Sequence, residues 1–342
     1  MDSCPHLESS EQYTIAWIAA LPHELAAATA MLDEEHERPS KFEQRKQDTN
    51  AYTWGRIGKH NVVIASLPAG EYGLTIAATT ANSLRFSLPH IRFALVVGIG
   101  AGIPQLESGG DVRLGDVVVS QPAGTFGGVV QYDFVKAKAG AHILTEHLAT
   151  PPESLRKALA KLQAKHERFD SAIPSILQKM LKESPKMSRK TRNDPAFTHQ
   201  GVENDRLHTA PSLRLETDFQ AFEEVLRDPR DSTDPEIHYG IIASGNTLVK
   251  SAREREEILK SFPEDIRDKC FCIEMEAAGL MNTFPCMVIR GICDYADENK
   301  NDLWQNYAAA TAAAFAKEYL QDVDPEEVQS GPELGELLIE KS

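Results

Sequence analysis

The sequence predicts an α/β protein with three αβα layers built on a central mixed, largely parallel sheet. Short apolar segments rich in β-formers alternate with helical segments in two clusters, at residues 13–121 and 237–320. Strands that alternate with helices are joined by crossovers, which cover both faces of a mainly parallel sheet. No internal repeat of fixed period occurs, so a repeat array is not expected.

The first cluster begins with a strand, a tight turn and a helix. Residues 13–20 form an apolar, β-rich run, and Leu21-Pro22 leads into a helical segment. The next two segments alternate around Gly58-Lys59-His60 as a β-hairpin does. The elements expected after the first strand are a helix at 23–33, hairpin strands at 51–57 and 61–66, a helix at 73–84, a strand at 93–97 entering a glycine-rich loop at 98–102, and a strand at 116–121.

The second cluster repeats this alternation closer to the carboxyl terminus. Its expected strands are 237–243, 270–274 and 287–292, and its expected helices are 250–259, 275–282 and 308–320. We therefore predict a flexible N-terminus at residues 1–12 and a single domain at 13–320, with a basic insert at about 150–200. Residues 321–342 carry seven acidic side chains and two prolines, a composition typical of an acidic tail or linker.

Composition limits the class of partner. The chain has 342 residues and a net charge of -15, which argues against a surface that coats a nucleic acid. Its five cysteines are few and odd in number, as in reduced intracellular proteins. The longest apolar run, at 93–104, is interrupted by glycines and too short to span a bilayer. We expect a cytoplasmic protein without membrane or nucleic-acid partners.

The insert has the opposite charge to the rest of the chain. Between residues 155 and 192 there are eleven basic and three acidic side chains. A solvated helical face followed by a loop is the usual explanation of such a run. The alternative is a local positive wall for an anionic ligand.

Carboxylates follow three of the predicted strands. They are Glu24, the pair Glu274 and Glu276, and Asp294. Open α/β sheets bind ligands at the carboxyl ends of their strands. A base for water, an acid for a leaving group and an anion beside a developing cation would suit N-glycosidic bond cleavage. The alternatives are structural: a charge at a helix N-terminus, a solvated pair of glutamates and a helix cap.

Other motifs exclude common cofactors. Gly98, Gly100 and Gly102 form G-x-G-x-G, which is neither the dinucleotide fingerprint nor a phosphate-binding P-loop. These glycines suit either close approach to a ligand or tight backbone packing. The histidines and cysteines lack the spacing of zinc sites, so we predict no metal and no cofactor.

Taken together, these segments resemble the nucleoside phosphorylase and nucleosidase superfamily, most closely its hydrolytic branch, represented by methylthioadenosine/S-adenosylhomocysteine nucleosidase. The resemblance covers roughly residues 12–320. It rests on ALPHEL at 20–25, the glycine-rich segment at 98–103, LGDVVVS at 114–120, ASGNTLV at 243–249, Glu274-Met275-Glu276 and the strand that ends in CDYAD at 293–297.

The resemblance implies a role for each motif residue. Glu24 would activate water, Asp294 would protonate purine N7, and Glu276 would bind the ribose hydroxyls. Met275 would pack under the sugar. The full set of implied substrate-binding residues is Gly100, Ala101, Gly102, Asn246, Leu248, Val249, Glu274, Met275 and Glu276.

Two departures from the family pattern affect these expectations. Asn246 stands where the family has an aspartate, so this chain lacks the negative charge of that position. Val97 stands where phosphorolytic relatives place an arginine for phosphate, which favours water as the nucleophile. Relatives close their pockets with a neighbouring subunit, so the resemblance also implies a homo-oligomer, a dimer or a higher form.

The insert, GGVVQYDF at 127–134 and the CDYAD ending are similar to the phosphorylase-like domains that precede nucleotide-binding immune-receptor-like modules in fungal proteins. Relatives of that type include effectors that cleave ATP at its N-glycosidic bond. The implied function is a purine N-ribosyl hydrolase that favours ATP, with adenosine next. The alternatives are a purine nucleoside phosphorylase and a catalytically silent nucleotide-sensing module. Candidates for phosphate binding are the basic quartet of Lys186, Arg189, Lys190 and Arg192.

Overall fold

A computed structural model describes residues 7–138, 141–144, 147–192, 194–208 and 224–336. Its strands are β1 (Ile15–Ala19), β2 (Glu34–His36), β3 (Tyr52–Ile57), β4 (His60–Ser66), β5 (Phe93–Gly102), β6 (Val117–Ser120), β7 (Val129–Gln131), β8 (Val135–Lys138), β9 (Ala141–Leu144), β10 (Ile237–Ser244), β11 (Cys270–Glu274) and β12 (Cys286–Asp294). Its α-helices are α1 (Pro22–Ala30), α2 (Leu74–Ser87), α3 (Glu153–His166), α4 (Ile173–Glu183), α5 (Ala252–Lys260), α6 (Glu264–Arg267), α7 (Ala278–Met281), α8 (Gln305–Asp322) and α9 (Pro325–Ser330).

The central sheet is mixed and parallel at its centre, which confirms the predicted fold class. Its strand order is β11-β10-β6-β12-β5-β1-β4-β3-β2, and β7 pairs with β10. Strand β1 runs parallel to β4 and β5, and β12 runs parallel to β5. Strand β11 pairs with β10 and also, antiparallel, with the end of β5. This second pairing brings the carboxyl end of β11 beside those of β5 and β12.

Helices cover both faces of the sheet. Helices α1, α3, α4 and α8 contribute to the apolar core on one face, and α2 and α7 contribute to the core on the other. Helix α8 is buried along most of its length and is rich in alanine. It lies so close to β12 that a Cβ at Gly291 would collide with the backbone of Ala308. Helix α8 thereby supports the strand that ends in Asp294.

The glycine-rich segment continues strand β5 instead of forming the expected loop. Strand β5 extends through Gly102 and pairs with β12 and β11. A Cβ at Gly100 would collide with the sulfur of Cys272, and one at Gly102 would lie 2.8 Å from Ile292. The glycines therefore allow three strands to approach one another where the strand ends meet.

The helical part of the basic insert packs against α8. Helices α3 and α4 bury leucines on this side, including Leu159 and Leu177. Their basic side chains lie at the surface, and three of them pair with acids elsewhere: Lys161 and Lys165 with Asp322, and Lys179 with Asp33. This part of the insert has the arrangement of a solvated helical face.

The segment expected to be an acidic tail packs on the domain as far as it is described. Helix α8 extends to Asp322, and α9 follows after a short turn. Val323, Val328 and Leu334 are buried, and Arg92 bonds the Gly331 carbonyl and the Glu333 carboxylate. A boundary at residue 321 is therefore too early. Residues 1–6 of the expected flexible N-terminus and 337–342 of the tail lie outside the described residues.

Candidate active site

A cavity of about 480 Å³ lies at the carboxyl ends of β1, β5, β11 and β12. Five carboxylates and two lysines line it, so its walls are acidic. Acidic walls suit a cationic intermediate. The residues predicted for the site that line this cavity are Glu24, Gly100, Ala101, Leu248, Val249, Glu274, Met275, Glu276 and Asp294.

Glu24 is held rigidly in the first turn of α1. The side chain is 3% exposed, and its Oε2 accepts hydrogen bonds from the amides of Ala20 at 2.7 Å and Leu21 at 2.9 Å. Its Oε1 accepts a third bond from Ile99 N at 2.8 Å. A carboxylate offers about four lone-pair sites, so three bonds fix its orientation and leave room for a water.

Arg290 lies beneath the three glutamates of the site. It is fully buried in β12 and donates to the carboxylates of Glu274 and Glu276, the latter at 3.2 Å. A Cβ at Gly98 would collide with both Arg290 and Glu24, which places these two side chains next to each other. Buried charges are stable only when paired, and Arg290 supplies the pairing cation here.

Glu274 has a structural task in addition to this ion pair. Its two oxygens accept hydrogen bonds from the amides of Glu276 and Ala277 at 3.0–3.2 Å. These bonds hold the turn between β11 and α7, and α7 is much shorter than the helix expected at 275–282. Glu274 lines the cavity, but its oxygens are already occupied.

Glu276 is the more available of the two glutamates. Its Oε1 accepts only a long bond, 3.3 Å, from the amide of Gly73. Burial and the negative charges of Glu274 and Glu24 raise the pKa of Glu276 to about 7, although Arg290 opposes this shift. Its carboxylate can accept hydrogen bonds from the hydroxyls of a bound sugar.

Asp294 ends β12 and is 5% exposed. Its Oδ1 accepts from the amide of Ala296 at 2.8 Å, and its Oδ2 lies 2.6 Å from Nζ of Lys300. Burial lowers the pKa of Lys300, but the charge of Asp294 and the hydrogen bond to it, together with smaller contributions from Cys293 and Asp302, outweigh burial and raise that pKa. Lys300 could not be predicted from the sequence, because an isolated lysine in a loop has no distinguishing pattern.

Two residues predicted to bind substrate do not line the cavity. Gly102 packs against Ile292 and Tyr295 behind the site. The side chain of Asn246 accepts a hydrogen bond from the amide of Leu74 at 3.2 Å, at the start of α2. Asn246 therefore holds the loop whose Gly73 contacts Glu276. This task needs only an acceptor oxygen, which asparagine provides as well as aspartate does.

The basic quartet is exposed, and none of its members lines the cavity. The cations that do line it are Lys300 and Lys250. Lys250 is exposed and forms no ion pair within the described ranges. His23 also lines the cavity, and burial lowers its pKa.

Arg290, unlike the lysines, left a signal in the sequence. A single arginine in the apolar run of β12 requires buried partners, and the nearest acids in the motifs are Glu274 and Glu276.

Within the described residues, no group of three or more histidine, cysteine or acidic side chains is arranged to hold a metal ion. In the same residues, no helix combines the length and apolar character needed to cross a membrane.

Among the known proteins that match the chain in sequence are the following two relatives. The chain is 42% identical over 316 residues to a nucleotide-binding leucine-rich repeat (NLR)-like protein of Hyaloscypha variabilis, covering 92% of this chain and 30% of that protein. It is 30% identical over 130 residues to the ATP nucleosidase Cap17 of Escherichia coli, covering 36% of this chain and 25% of Cap17. The matches thus span less than a third of either relative. No protein-family profile matches the chain.

Solved structures share the fold. The 5′-methylthioadenosine/S-adenosylhomocysteine nucleosidase of Neisseria meningitidis, in complex with methylthio-immucillin-A, superposes with a TM-score of 0.54. The alignment covers 90% of this chain and 98% of the nucleosidase, at 17% sequence identity. At that identity the likeness establishes the fold alone.

Proposed function

We propose that the chain is a purine N-ribosyl hydrolase of the nucleoside phosphorylase and nucleosidase superfamily, which its motifs, its fold and its similarity to an ATP nucleosidase support. It hydrolyses the N-glycosidic bond of an adenine nucleotide or nucleoside to free base and ribose or ribose phosphate. One observation carries this proposal: Glu24, Glu276 and Asp294 line the same cavity from three strand ends.

Each carboxyl group has a separate task in this reaction. Asp294 donates a proton to purine N7 while the bond between C1′ and N9 breaks and its electron pair moves to the base. Glu276 accepts hydrogen bonds from the ribose hydroxyls, and the acidic walls stabilise the cationic sugar. Glu24 takes a proton from the water that adds to C1′. Each acid or base contributes about 10²–10⁴ in rate.

Lys300 supports the proton donor. Asp294 takes up a proton from solvent when the purine enters; after it has passed this proton to N7, its buried carboxylate is again negative, the state that is paired with Lys300 in the structure. The ammonium of Lys300, 2.6 Å from Oδ2, neutralises that charge. This ion pair favours departure of the base over its return to the sugar.

Water is a better nucleophile for this site than phosphate. Phosphate would have to lie beside the carboxylate of Glu24, which repels it. The cation next to Glu24 is Arg290, which is committed to Glu274 and Glu276. The buried Val97 offers no charge at the position where phosphorolytic relatives carry an arginine.

ATP is the favoured substrate and adenosine the next. The similarity to an ATP nucleosidase supports this order. Lys250 lines the cavity and has no ion pair among the residues that the structure describes; it is our candidate for contacting the phosphates, beside the basic quartet proposed from the sequence.

A homo-oligomer, dimer or higher, is also part of the proposal. Tyr72 and Leu248 line the cavity yet expose 52% and 44% of their surface. A neighbouring subunit that covers them would exclude water from the cavity.

Release of free base tests this function. The protein is incubated with ATP, adenosine and inosine, with and without inorganic phosphate, and adenine and hypoxanthine are separated by chromatography. We expect adenine from ATP at a rate that does not depend on phosphate. Phosphate-dependent release would indicate a phosphorylase, tight binding without release would indicate a sensing module, and neither release nor binding would refute the proposal.

A further inference from the structure

The turn after Asp294 controls how its carboxyl group is oriented. Asp294 Oδ1 accepts from the amide of Ala296, so the side chain is tied to the backbone two residues later. Ala296 has a φ of 51°, the left-handed region that alanine rarely adopts, and it is the one residue other than glycine with positive φ within the described ranges. Such a conformation persists only where the surroundings enforce it.

Tyr295 provides the point at which this turn is held. Its side chain is 2% exposed, and its hydroxyl donates to Asp205 Oδ1 at 2.5 Å. Arg227 Nη1 donates to the same hydroxyl at 2.9 Å, and its guanidinium lies 5.4 Å from the centre of the ring. Burial and the charge of Asp205 raise the pKa of the Tyr295 phenol, so it remains a hydrogen-bond donor.

Asp205 and Arg227 also hold each other. Arg227 Nη2 lies 2.9 Å from Asp205 Oδ2 and donates to the Asp205 carbonyl at 3.0 Å. Both side chains are at least nine-tenths buried. A buried pair that is hydrogen-bonded through the Asp205 carboxylate, the Asp205 carbonyl and the Tyr295 hydroxyl has little freedom to move.

The backbone of the turn has a further support. Arg255, which is 5% exposed in α5, donates from Nη1 to the Tyr295 carbonyl at 2.8 Å. Tyr295 is therefore held at its hydroxyl, its ring and its carbonyl.

The residues that hold the tyrosine ring lie in a segment to which the family resemblance gives no role. Asp205 and Arg227 lie between α4 and β10, in residues 202–208 and 224–230. A backbone hydrogen bond joins these two stretches: the amide of Val225 donates to the carbonyl of Leu207 at 2.8 Å. The segment thus reaches the turn after β12 from outside the strands that carry the carboxylates.

We propose that Asp205 and Arg227 are positioning residues that set the orientation of Asp294 through Tyr295. The proposal rests on the proposed function in assigning Asp294 as the proton donor. Without the pair, Tyr295 and Ala296 relax and the Asp294 carboxyl group turns away from purine N7. Substrate binding through Glu276 and Leu248 continues, because neither residue contacts the pair.

Two substitutions test this proposal in the full chain. Tyr295→Phe removes the hydroxyl and keeps the ring, and Arg227→Met keeps the length and removes the charge. Displacement of a reacting group by about 1 Å can cost 10²-fold in rate. We expect kcat for ATP or adenosine to fall about ten- to hundredfold with KM within about threefold of wild type. Arg227→Lys, which keeps the charge beside Asp205, should recover part of the loss.

Arg206→Met is the matched control. Arg206 follows Asp205 in the chain, and its exposed ion pair with Glu224 joins the same two stretches without touching Tyr295. This variant should keep the wild-type kcat. Wild-type kcat in both test variants, or equal losses in the control, would overturn the proposal.

Hydrogen exchange separates this proposal from the proposed function. If the wild type releases no base, the proposed function is wrong. The amides of residues 294–300 then test separately whether Asp205 and Arg227 hold the turn after Asp294. These amides should exchange at least about tenfold faster in Tyr295→Phe and Arg227→Met than in wild type and Arg206→Met. Unchanged exchange would refute the claim that the pair holds this turn, whether or not the protein is active.

Discussion

Replacing Glu276 by glutamine should change the stability of the protein by an amount that depends on pH. The carboxyl group is buried beside Glu274 and Glu24, and its pKa is raised from 4.5 to about 7. The folded state therefore holds this proton more tightly than the unfolded chain does. As the pH rises from about 4.5 to about 7, wild type loses stability that glutamine, which carries no charge, does not lose.

The size of this effect follows from the shift. One pKa unit corresponds to about 1.4 kcal/mol, so the ionised Glu276 costs about 3 kcal/mol above pH 7. Between pH 5 and pH 8, the free energy of unfolding of Glu276→Gln should rise relative to wild type by about 2–3 kcal/mol. Any loss of stability that the glutamine amide itself causes is the same at both pH values, so it cancels from the difference between pH 5 and pH 8.

Urea unfolding at pH 5 and pH 8, followed by tryptophan fluorescence, measures this difference. Glu107→Gln is the control, since Glu107 is exposed and its carboxylate is solvated in both states. A difference between Glu276→Gln and wild type that stays constant, or that falls as the pH rises, would refute the description of Glu276 as a buried carboxylate beside other negative charges.

Three further substitutions examine separate parts of the site. Glu24→Gln should lower kcat by about 10²–10⁴ and leave the dissociation constant for adenosine within about threefold, as measured by calorimetry; turnover close to wild type would contradict a role in water activation. Lys250→Met should lower kcat/KM for ATP about tenfold, which corresponds to about 1.4 kcal/mol, and leave kcat/KM for adenosine unchanged. Neutralising the basic quartet should lower kcat/KM for ATP less. A larger loss from the quartet than from Lys250→Met would place the phosphates at the quartet. Gly98→Ala should lower both the melting temperature and kcat, because the methyl group pushes Arg290 and Glu24 apart at a cost of about 1–3 kcal/mol, and unchanged kcat would show that this packing is dispensable.

Most of the fold could be predicted from local pattern. Apolar runs and alternation located strands such as β1 and β12 to within about two residues, because burial on one or both sheet faces leaves a direct mark on composition. The pattern failed where long-range contacts decide the structure. Strand β5 continues through its glycines because β11 and β12 pair with it there, and this pairing is invisible in a local window.

The candidate active site was likewise predictable from the sequence only in part. Carboxylates at strand ends were predictable because the carboxyl ends of parallel strands share one edge of the sheet. Lys300 and Lys250 were not, since their positions depend on how loops fold back over that edge. The basic quartet is the converse case: a charge run is conspicuous in sequence, but these side chains lie outside the cavity lining, so their binding of phosphate stays a prediction. Net charge along the chain does not reveal which charges face a ligand.

The central claim is that Asp294 is the acid that protonates the leaving base, and Asp294→Asn tests it most directly. Adenine release from ATP and adenosine is measured for wild type, Asp294→Asn and Asp297→Asn, and ligand binding is measured in parallel. Asp297 is the matched control because it is also buried, at 3% exposure, but does not line the cavity. We predict that Asp294→Asn binds substrate and releases no adenine above background, while Asp297→Asn remains active. Near wild-type release by Asp294→Asn would contradict the account and make Asp297 the next candidate.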